Sequence, residues 1–198
     1  MIYKSISEPI VFDKIKQKRY KDVIEKLKDI RDVQEAHRSI KGRYESDFNK
    51  LIKFIESGEF TITQQRDSSY MEYDKVYKID MMREVRIVDT LGYVSIKDSL
   101  FGGTDSYKNL MKVPHAQGDA KFTMKTDVLD KNGFKVPVFE AKVAKEVILH
   151  DQPNDLVERE KTMKSVDEVN GPEIIVGSLE DVSTSGNWPS IYDTKERK

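Results

Sequence analysis

Between Asp13 and Lys41 the chain reads DKIKQKRYKDVIEKLKDIRDVQEAHRSIK, a stretch without proline or glycine. Apolar residues recur in it at steps of three and four, which is the spacing of one face of an α-helix. Most other positions carry charge, so the pattern predicts a long, heavily charged helix with one narrow apolar stripe, ended by Gly42. The stripe consists of Ile15, Tyr20, Val23, Ile24, Leu27 and Ile30, and it continues through Val33, His37, Ile40 and Tyr44.

This stripe needs an apolar surface to pack against, and the sequence is compatible with two. It packs on the protein's own body, or it packs on a neighbouring subunit through Val23, Leu27 and Ile30, which are then partner-binding residues. A second, shorter helix should follow, capped by Ser46 and ended by Gly58. Its apolar face should join the core and consists of Phe48, Leu51, Ile52 and Ile55.

After Gly58 the apolar residues alternate with polar ones, which is typical of β-strands. The clearest signal is a hairpin, because Asp130-Lys-Asn-Gly133 has the composition of a tight turn and separates two alternating stretches. Pro137 lies in the second stretch and has no amide proton, so we expect a free edge there. Residues 67–79 are predicted to be a loop. The predicted strands are Glu59–Arg66, Arg83–Thr90, Tyr93–Asp98, Lys121–Val128, Phe134–Val143 and Glu173–Gly177, with a helix at Pro153–Met163.

These elements predict an α+β protein in three segments. Residues 1–58 form a helical segment with a long charged helix and a second short one. Residues 59–177 form a mostly antiparallel, β-rich body, and residues 178–198 form an extended C-terminal arm. Of the 198 residues, 37% are hydrophobic and 35% are charged. Because the apolar fraction is low and the charged fraction high, either much of the chain is solvated or neighbours supply part of its burial.

Composition excludes several function classes. The chain has no cysteine, which removes disulfides, thiolate zinc sites and cysteine nucleophiles and fits a virion or cytoplasmic location. No window of 18 apolar residues occurs, so we expect no membrane span. The N-terminal residues also lack the apolar core of a signal peptide.

The two ends of the chain carry opposite charge. Residues 14–31 contain eight bases against three acids, and residues 151–198 contain eleven acids against six bases. Such runs are usually solvated faces. Alternatively, the head and tail of neighbouring copies attract each other, as in a ring or filament. Nucleic acid is disfavoured as a partner, because the acids interleave with the bases and the chain is not basic overall.

The residues that carry chemistry do not form a recognisable site. His37, His115 and His150 are far apart in the sequence and have no metal-ligand spacing. The Gly102–Asp105 stretch lacks the Gly-Lys-Thr/Ser ending of a phosphate-binding loop, and no serine lies in a Gly-x-Ser-x-Gly elbow. We therefore expect no catalytic residues, no metal and no cofactor.

Trp188 is the one tryptophan, and it stands beside Gly186, Asn187 and Pro189. Three roles are compatible with this context. The indole fills a groove of the core and pins the C-terminal arm, it anchors an interface with a partner, or it stacks on a sugar or a base. Together with Val23, Leu27 and Ile30, it is a candidate partner-binding residue.

Several strings in the chain are familiar in combination. In one-letter code they are LKDIRDVQ (27–34), GRY (42–44), VDTLGYVSIKDSLF (88–101), VPVFEAKV (136–143), VGSLEDV (176–182) and GNW (186–188). Together they resemble a family of small uncharacterised proteins from Bacteroidota and their crAss-like phages. The resemblance implies that cellular members of the family begin with a transmembrane helix, which precedes the segment that matches Glu8–Arg19. This sequence begins too late and is too polar there, which favours an assembly role over a membrane-anchored one.

The sequence thus leads to an ordered set of expectations. The first is a non-enzymatic structural or assembly subunit, such as a ring or tail-region component of a phage virion. Its partners would be copies of itself or other structural proteins of the same assembly. The alternative is an envelope-associated, pilin-like interaction protein at the periplasmic or envelope face, without its membrane anchor. An enzyme of unknown class comes third, and it would need a pocket with converging titratable groups.

Overall fold

The N-terminal helix is longer than its apolar pattern indicated. In the computed structural model, which describes the backbone of residues 2–193 and the side chains of residues 8–193, α1 spans Ile2–Lys41 and continues through Pro9. Proline normally marks a helix boundary, and the prediction therefore began later, at Asp13. The helix ends where predicted, at Gly42, which has a φ of 74°.

The second helix, α2 (Phe48–Ser57), is present, but a different residue caps it. The Asp47 carboxylate accepts a hydrogen bond from the Asn49 amide at 2.8 Å, so the cap is Asp47 and not the predicted Ser46. Leu51, Phe54 and Ile55 of this helix are buried. The helix ends before Gly58, as its sequence indicated.

The predicted hairpin at Asp130–Gly133 belongs to a three-stranded antiparallel sheet. Its strands are β3 (Thr123–Lys131), β4 (Phe134–Ala144) and β5 (Glu173–Gly177), in the order β3-β4-β5. Pro137 pairs with Val128 of β3, whereas β5 pairs only with Glu140–Ala144. The free edge expected at Pro137 is therefore confirmed.

Residues 59–95 form one long hairpin, which differs from the sequence prediction. The two strands are β1 (Glu59–Asp74) and β2 (Ile79–Ser95), and they pair along their whole length. Most of the predicted loop 67–79 is therefore strand. The chain reverses after Asp74, whose carboxylate accepts hydrogen bonds from the Val76 and Tyr77 amides at 2.7 and 3.1 Å.

The predicted break at Leu91-Gly92 is a β-bulge inside a continuous strand. Ile62 pairs with Gly92 and Thr63 pairs with Thr90, so Leu91 has no partner on β1. A glycine within a strand often marks such a bulge. The strand predicted after this break, Tyr93–Asp98, ends early at Ser95. The Ser95 hydroxyl accepts a hydrogen bond from the Asp98 amide and thereby caps a helix.

Short helices connect the larger elements. The helix predicted at Pro153–Met163 is shorter in the structure and begins at Asn154. The α-helical elements are α3 (Ile96–Phe101), α4 (Lys145–Ile148) and α5 (Asn154–Lys161), with 3₁₀ turns at Ser106–Asn109 and Ser190–Tyr192.

The core lies between α1 and the three-stranded sheet, with α2 and α3 at one end. It draws on all three predicted segments, since Leu27, Phe139 and Trp188 belong to one cluster. The C-terminal arm is bound to β5 by Asn187, whose amide donates to the Ile175 carbonyl oxygen at 3.0 Å. Residues 194–198 of the predicted arm lie outside the described residues.

Candidate functional site

Most of the apolar stripe of α1 packs on the protein's own body, although Ile40 at its end is 40% exposed. Val23, Leu27 and Ile30 are each 0% exposed, because the helix lies against β4, β5 and α2. The hypothesis that these three residues bind a partner is therefore corrected: they belong to the core, which is the other alternative that the sequence left open.

Trp188 is also buried within the chain, at 8% exposed. Its indole Nε1 donates to the Asp193 carboxylate at 3.1 Å, and its ring lies against Gly186, where no side chain intervenes. The same carboxylate is 3.0 Å from the Lys28 ammonium group on α1. Trp188 thus pins the C-terminal arm to the body, and it offers little surface to a partner.

The opposite charges of head and tail meet within a single copy. Arg19 of α1 forms a bidentate ion pair with Asp151, in which Nη1 and Nη2 donate to the two carboxylate oxygens at 2.6 and 2.8 Å. These hydrogen bonds hold the pKa of Asp151 well below its usual range. Lys28 also forms an ion pair with Asp193. Part of the charge that was expected to attract neighbouring copies is therefore already neutralised inside the chain.

A buried cluster of charges also joins the head and the tail, and it includes Lys145 at the end of the sheet. The Lys145 ammonium group is fully buried and donates to three oxygens: Oε1 and the carbonyl of Glu160, both at 2.9 Å, and the carbonyl of Val169 at 2.7 Å. An ammonium group has three protons, so Lys145 has none left for a substrate. Burial lowers the pKa of Lys145, and Glu160 acts in the opposite direction.

Lys16 of α1 completes this buried cluster. Its ammonium group is 3.2 Å from Oε2 of Glu160 and 3.1 Å from Glu168. Burial acts to lower the pKa of Lys16, but the two carboxylates outweigh it, and the pKa is raised. The Tyr20 hydroxyl donates to Glu160 at 3.3 Å, and burial with the nearby negative charge raises its pKa. The cluster joins α1 to α5, and its polar groups are saturated, so we interpret it as structural.

The other candidates for chemistry are separate from one another. His37 contacts the Arg43 carbonyl oxygen at 2.6 Å, whereas His115 contacts the Asp22 carboxylate. Within residues 8–193, no group of three His, Cys, Asp or Glu side chains is placed to hold a metal ion. Among the described residues, no helix combines the length and the apolar character of a membrane span.

Most of the exposed large hydrophobic side chains of the described chain belong to the hairpin Glu59–Ser95, which we call the projecting hairpin. Its base is held by Phe60 and by α3, where the Ile96 amide donates to the Gly58 carbonyl oxygen at 3.0 Å. Beyond the base, both faces of the ribbon are exposed almost everywhere. Sixteen residues of β1 extend about 50 Å at ~3.4 Å per residue.

Thirteen large hydrophobic side chains of the projecting hairpin are 41–83% exposed, more than on all other described parts of the chain together. A soluble protein ordinarily scatters such residues singly over its surface. They are Ile62, Tyr70, Met71, Tyr73, Val76, Tyr77, Ile79, Met81, Met82, Val85, Val88, Leu91 and Tyr93.

The two strands of the projecting hairpin differ in character. Residues 63–69 of β1 read TQQRDSS and contain no large hydrophobic residue, whereas residues 79–88 of β2 read IDMMREVRIV. The alternation of Ile79, Met81, Val85 and Ile87 is the sequence signal that could have revealed β2 as one strand. It was obscured because Met82 and Val88 occupy the opposite face.

Charged residues of the projecting hairpin pair across the ribbon. Arg66 lies 3.0 Å from Asp89, and Arg83 lies 2.7 Å from Glu72. Arg86 is more distant from its partner Asp67, at 3.6 Å. Glu84, on the same face as Arg86, has no ion pair or side-chain hydrogen bond within the described part of the chain.

Comparison with known proteins gives no information about the role of this surface. No protein-family model, curated protein or solved structure matches the chain.

Proposed function

We propose that this chain is a non-enzymatic structural or assembly subunit, and that the projecting hairpin is the element through which it binds other subunits. The observation that carries the proposal is the exposure of thirteen large hydrophobic side chains on one two-stranded ribbon. Burying apolar surface stabilises an assembly by roughly 25 cal/mol per Å². The isolated chain leaves this contribution unused.

The geometry of the ribbon supports the same proposal. A two-stranded hairpin without a sheet or helix behind it is at best marginally stable in water. Its edges also present unpaired amide and carbonyl groups, which readily pair with another chain. Both deficits disappear when a neighbour covers the ribbon, so the projecting hairpin is suited to an assembly.

The body supports the proposal by holding the hairpin in place. Ser95 ends β2 and caps α3 directly, and Ile96, at the start of α3, is fully buried. The strand therefore continues into the core without an intervening loop. A docking element fixed at its base loses less conformational freedom on binding than a mobile loop does.

The setting that we propose is a phage virion, where the subunit would form part of a ring in the head-to-tail or tail region. This part of the proposal rests on the sequence strings that resemble the family found in Bacteroidota and crAss-like phages. The partners would be copies of this chain or other structural proteins of the same particle.

Light scattering over a concentration series tests the assembly role. The full chain is compared with a shortened variant in which residues 64–89 are replaced by Asn-Gly, a two-residue turn suited to the paired ends Thr63 and Thr90. We expect the full chain to associate as its concentration rises, and the shortened variant to remain monomeric with an unchanged thermal transition. A full chain that stays monomeric up to several hundred micromolar would overturn the proposal.

A further inference from the structure

Strand β2 has a free edge along the projecting hairpin, because β1 is the only strand of residues 2–193 that pairs with it. The corresponding edge of β1 is polar from Thr63 to Ser69. The β2 edge instead presents Met82, Val85 and Val88, which are 69%, 41% and 53% exposed. Covering the edge of β2 therefore buries more apolar surface than covering the polar part of the β1 edge.

We infer that the occupant of this edge is β2 of a second copy of the chain. The two strands run antiparallel in a register centred on Val85, and the two hairpins form one four-stranded sheet. This inference rests on the proposed function and names the partner and the contact. It is a two-fold symmetric contact, in which the same surface of each copy meets itself.

The register follows from the chemistry around Val85. The segment 82–88 reads MREVRIV, with residues of opposite charge one position from Val85 and apolar residues three positions from it. In an antiparallel pair centred on Val85, Glu84 lies opposite Arg86 of the second copy, and Met82 lies opposite Val88. Cross-strand pairs of opposite charge and of apolar residues both stabilise a sheet.

Other registers are less favourable. A slip of one residue would place the side chains of each strand on the wrong face of the sheet. A centre at Glu84 would bring two carboxylates together, and a centre at Arg83 or Arg86 would bring two guanidinium groups together. Like charges directly opposite each other destabilise a sheet. Only the centre at Val85 places Glu84 opposite Arg86.

The contacts inside one copy fit this arrangement. Arg86 already faces Asp67 of β1 at 3.6 Å, so the second copy would place Glu84 on its other side. Met82 faces Met71 of β1, and Val88 of the second copy would extend this pair into a row of three apolar side chains. Glu84, which has no ionic partner within the described chain, thereby acquires one.

A single strand edge is small in comparison with the roughly 1,600 Å² of a standard interface. We therefore expect a reversible dimer whose population depends on concentration, and which further contacts in the particle would reinforce.

Charge variants test the register. Glu84→Arg places arginines opposite each other twice per dimer, and Arg86→Glu does the same with glutamates. We expect each variant alone to weaken self-association at least about tenfold. An equimolar mixture of the two variants should restore it, because every facing pair then has opposite charges. Glu25→Arg, on the exposed face of α1, makes the same change in net charge as Glu84→Arg and should leave association unchanged.

Disulfide cross-linking supplies a second measurement, since the chain has no cysteine of its own. Val85→Cys places two thiols directly opposite each other at the centre of the dimer, within the distance a disulfide spans. Under mild oxidation it should cross-link efficiently. Val88→Cys should not cross-link with itself, but it should cross-link with Met82→Cys when the two variants are mixed.

The outcomes separate this inference from the proposed function. If the full chain associates but the charge variants and Val85→Cys behave like the control, the partner or the register is wrong and the assembly role stands. If Val88→Cys cross-links with itself as well as Val85→Cys does, the register is wrong. If the full chain does not associate at any concentration, both proposals fall.

Discussion

The ammonium nitrogen of Lys145 lies 2.9 Å from a carboxylate oxygen of Glu160, and both side chains are buried beneath α1. Lys16 approaches the other oxygen of the same carboxylate at 3.2 Å. One glutamate of α5 therefore compensates two lysines, one from the first helix and one from the end of the sheet. Removing one member of such a group leaves buried charge without a partner.

Glu160→Gln should lower the free energy of unfolding by about 3–5 kcal/mol, because the buried Lys145 loses its compensating carboxylate and Lys16 keeps Glu168 but loses Glu160. Urea denaturation followed by circular dichroism measures the change. Glu158→Gln is the matched control, since Glu158 is an exposed residue of the same helix, and it should change stability by less than ~0.5 kcal/mol. Equal effects of the two changes would refute the structural role of the cluster.

The ion pair between Arg19 and Asp151 should make stability depend on pH in the acid range. Arg19 lowers the pKa of Asp151 in the folded state, so the contribution of the pair is present above the unfolded pKa, about 4. It is lost as the pH falls through the folded pKa. Asp151 is 47% exposed, and solvent screening limits the contribution to about 1 kcal/mol or less.

Asp151→Asn separates this contribution from the rest of the acid denaturation. The difference in unfolding free energy between the wild type and Asp151→Asn should be largest at pH 5–7, above the unfolded pKa of about 4, and should shrink as the solution is acidified. A difference that grows at low pH would contradict the stabilising effect that we assign to the ion pair.

Leu27→Ala should cost about 2–5 kcal/mol of stability, because the side chain is fully buried in the core. Thermal unfolding measures the cost. Glu25→Ala, on the exposed face of the same helix, should have little effect. If Leu27→Ala instead preserves stability and abolishes association, the stripe faces a neighbour after all.

Gly186→Ala should displace the indole of Trp188, because a Cβ at residue 186 would overlap the ring. With a single tryptophan in the chain, the fluorescence spectrum reports this site alone, and we expect a shift to longer wavelength together with a loss of about 1–3 kcal/mol. Gly92→Ala is the control, since a Cβ there meets nothing within 4 Å. An unchanged spectrum for Gly186→Ala would contradict the packing.

Hydrogen exchange should show the projecting hairpin to be the least protected β-structure in the dilute protein. The amides of residues 62–91 should exchange rapidly, because no second layer covers the ribbon. Raising the concentration should protect β2 more than β1. Residues Glu140–Lys142 of β4, which pair on both sides, should be protected at every concentration and serve as the internal reference.

Elements with local signals can be predicted from the amino-acid sequence alone. The stripe of Val23, Leu27 and Ile30 predicted α1, and the turn at Asp130–Gly133 predicted the β3–β4 hairpin. Helix periodicity and turn composition depend on residues close together in the chain, so both can be recognised in the sequence without knowledge of the fold. The loop predicted at 67–79 was wrong except for the turn at 75–78, because an exposed ribbon lacks the half-buried alternation by which strands are recognised.

Which surfaces are covered depends on the folded arrangement of the elements and is not visible in the sequence. The stripe of α1 is equally apolar whether it faces the body or a neighbour, and its burial against β4 and β5 settles the choice. Lys16 and Glu160 are separated by 144 positions in the sequence, so no local pattern could pair them. Contacts of this kind depend on the path of the whole chain, which brings distant residues together once the core has formed.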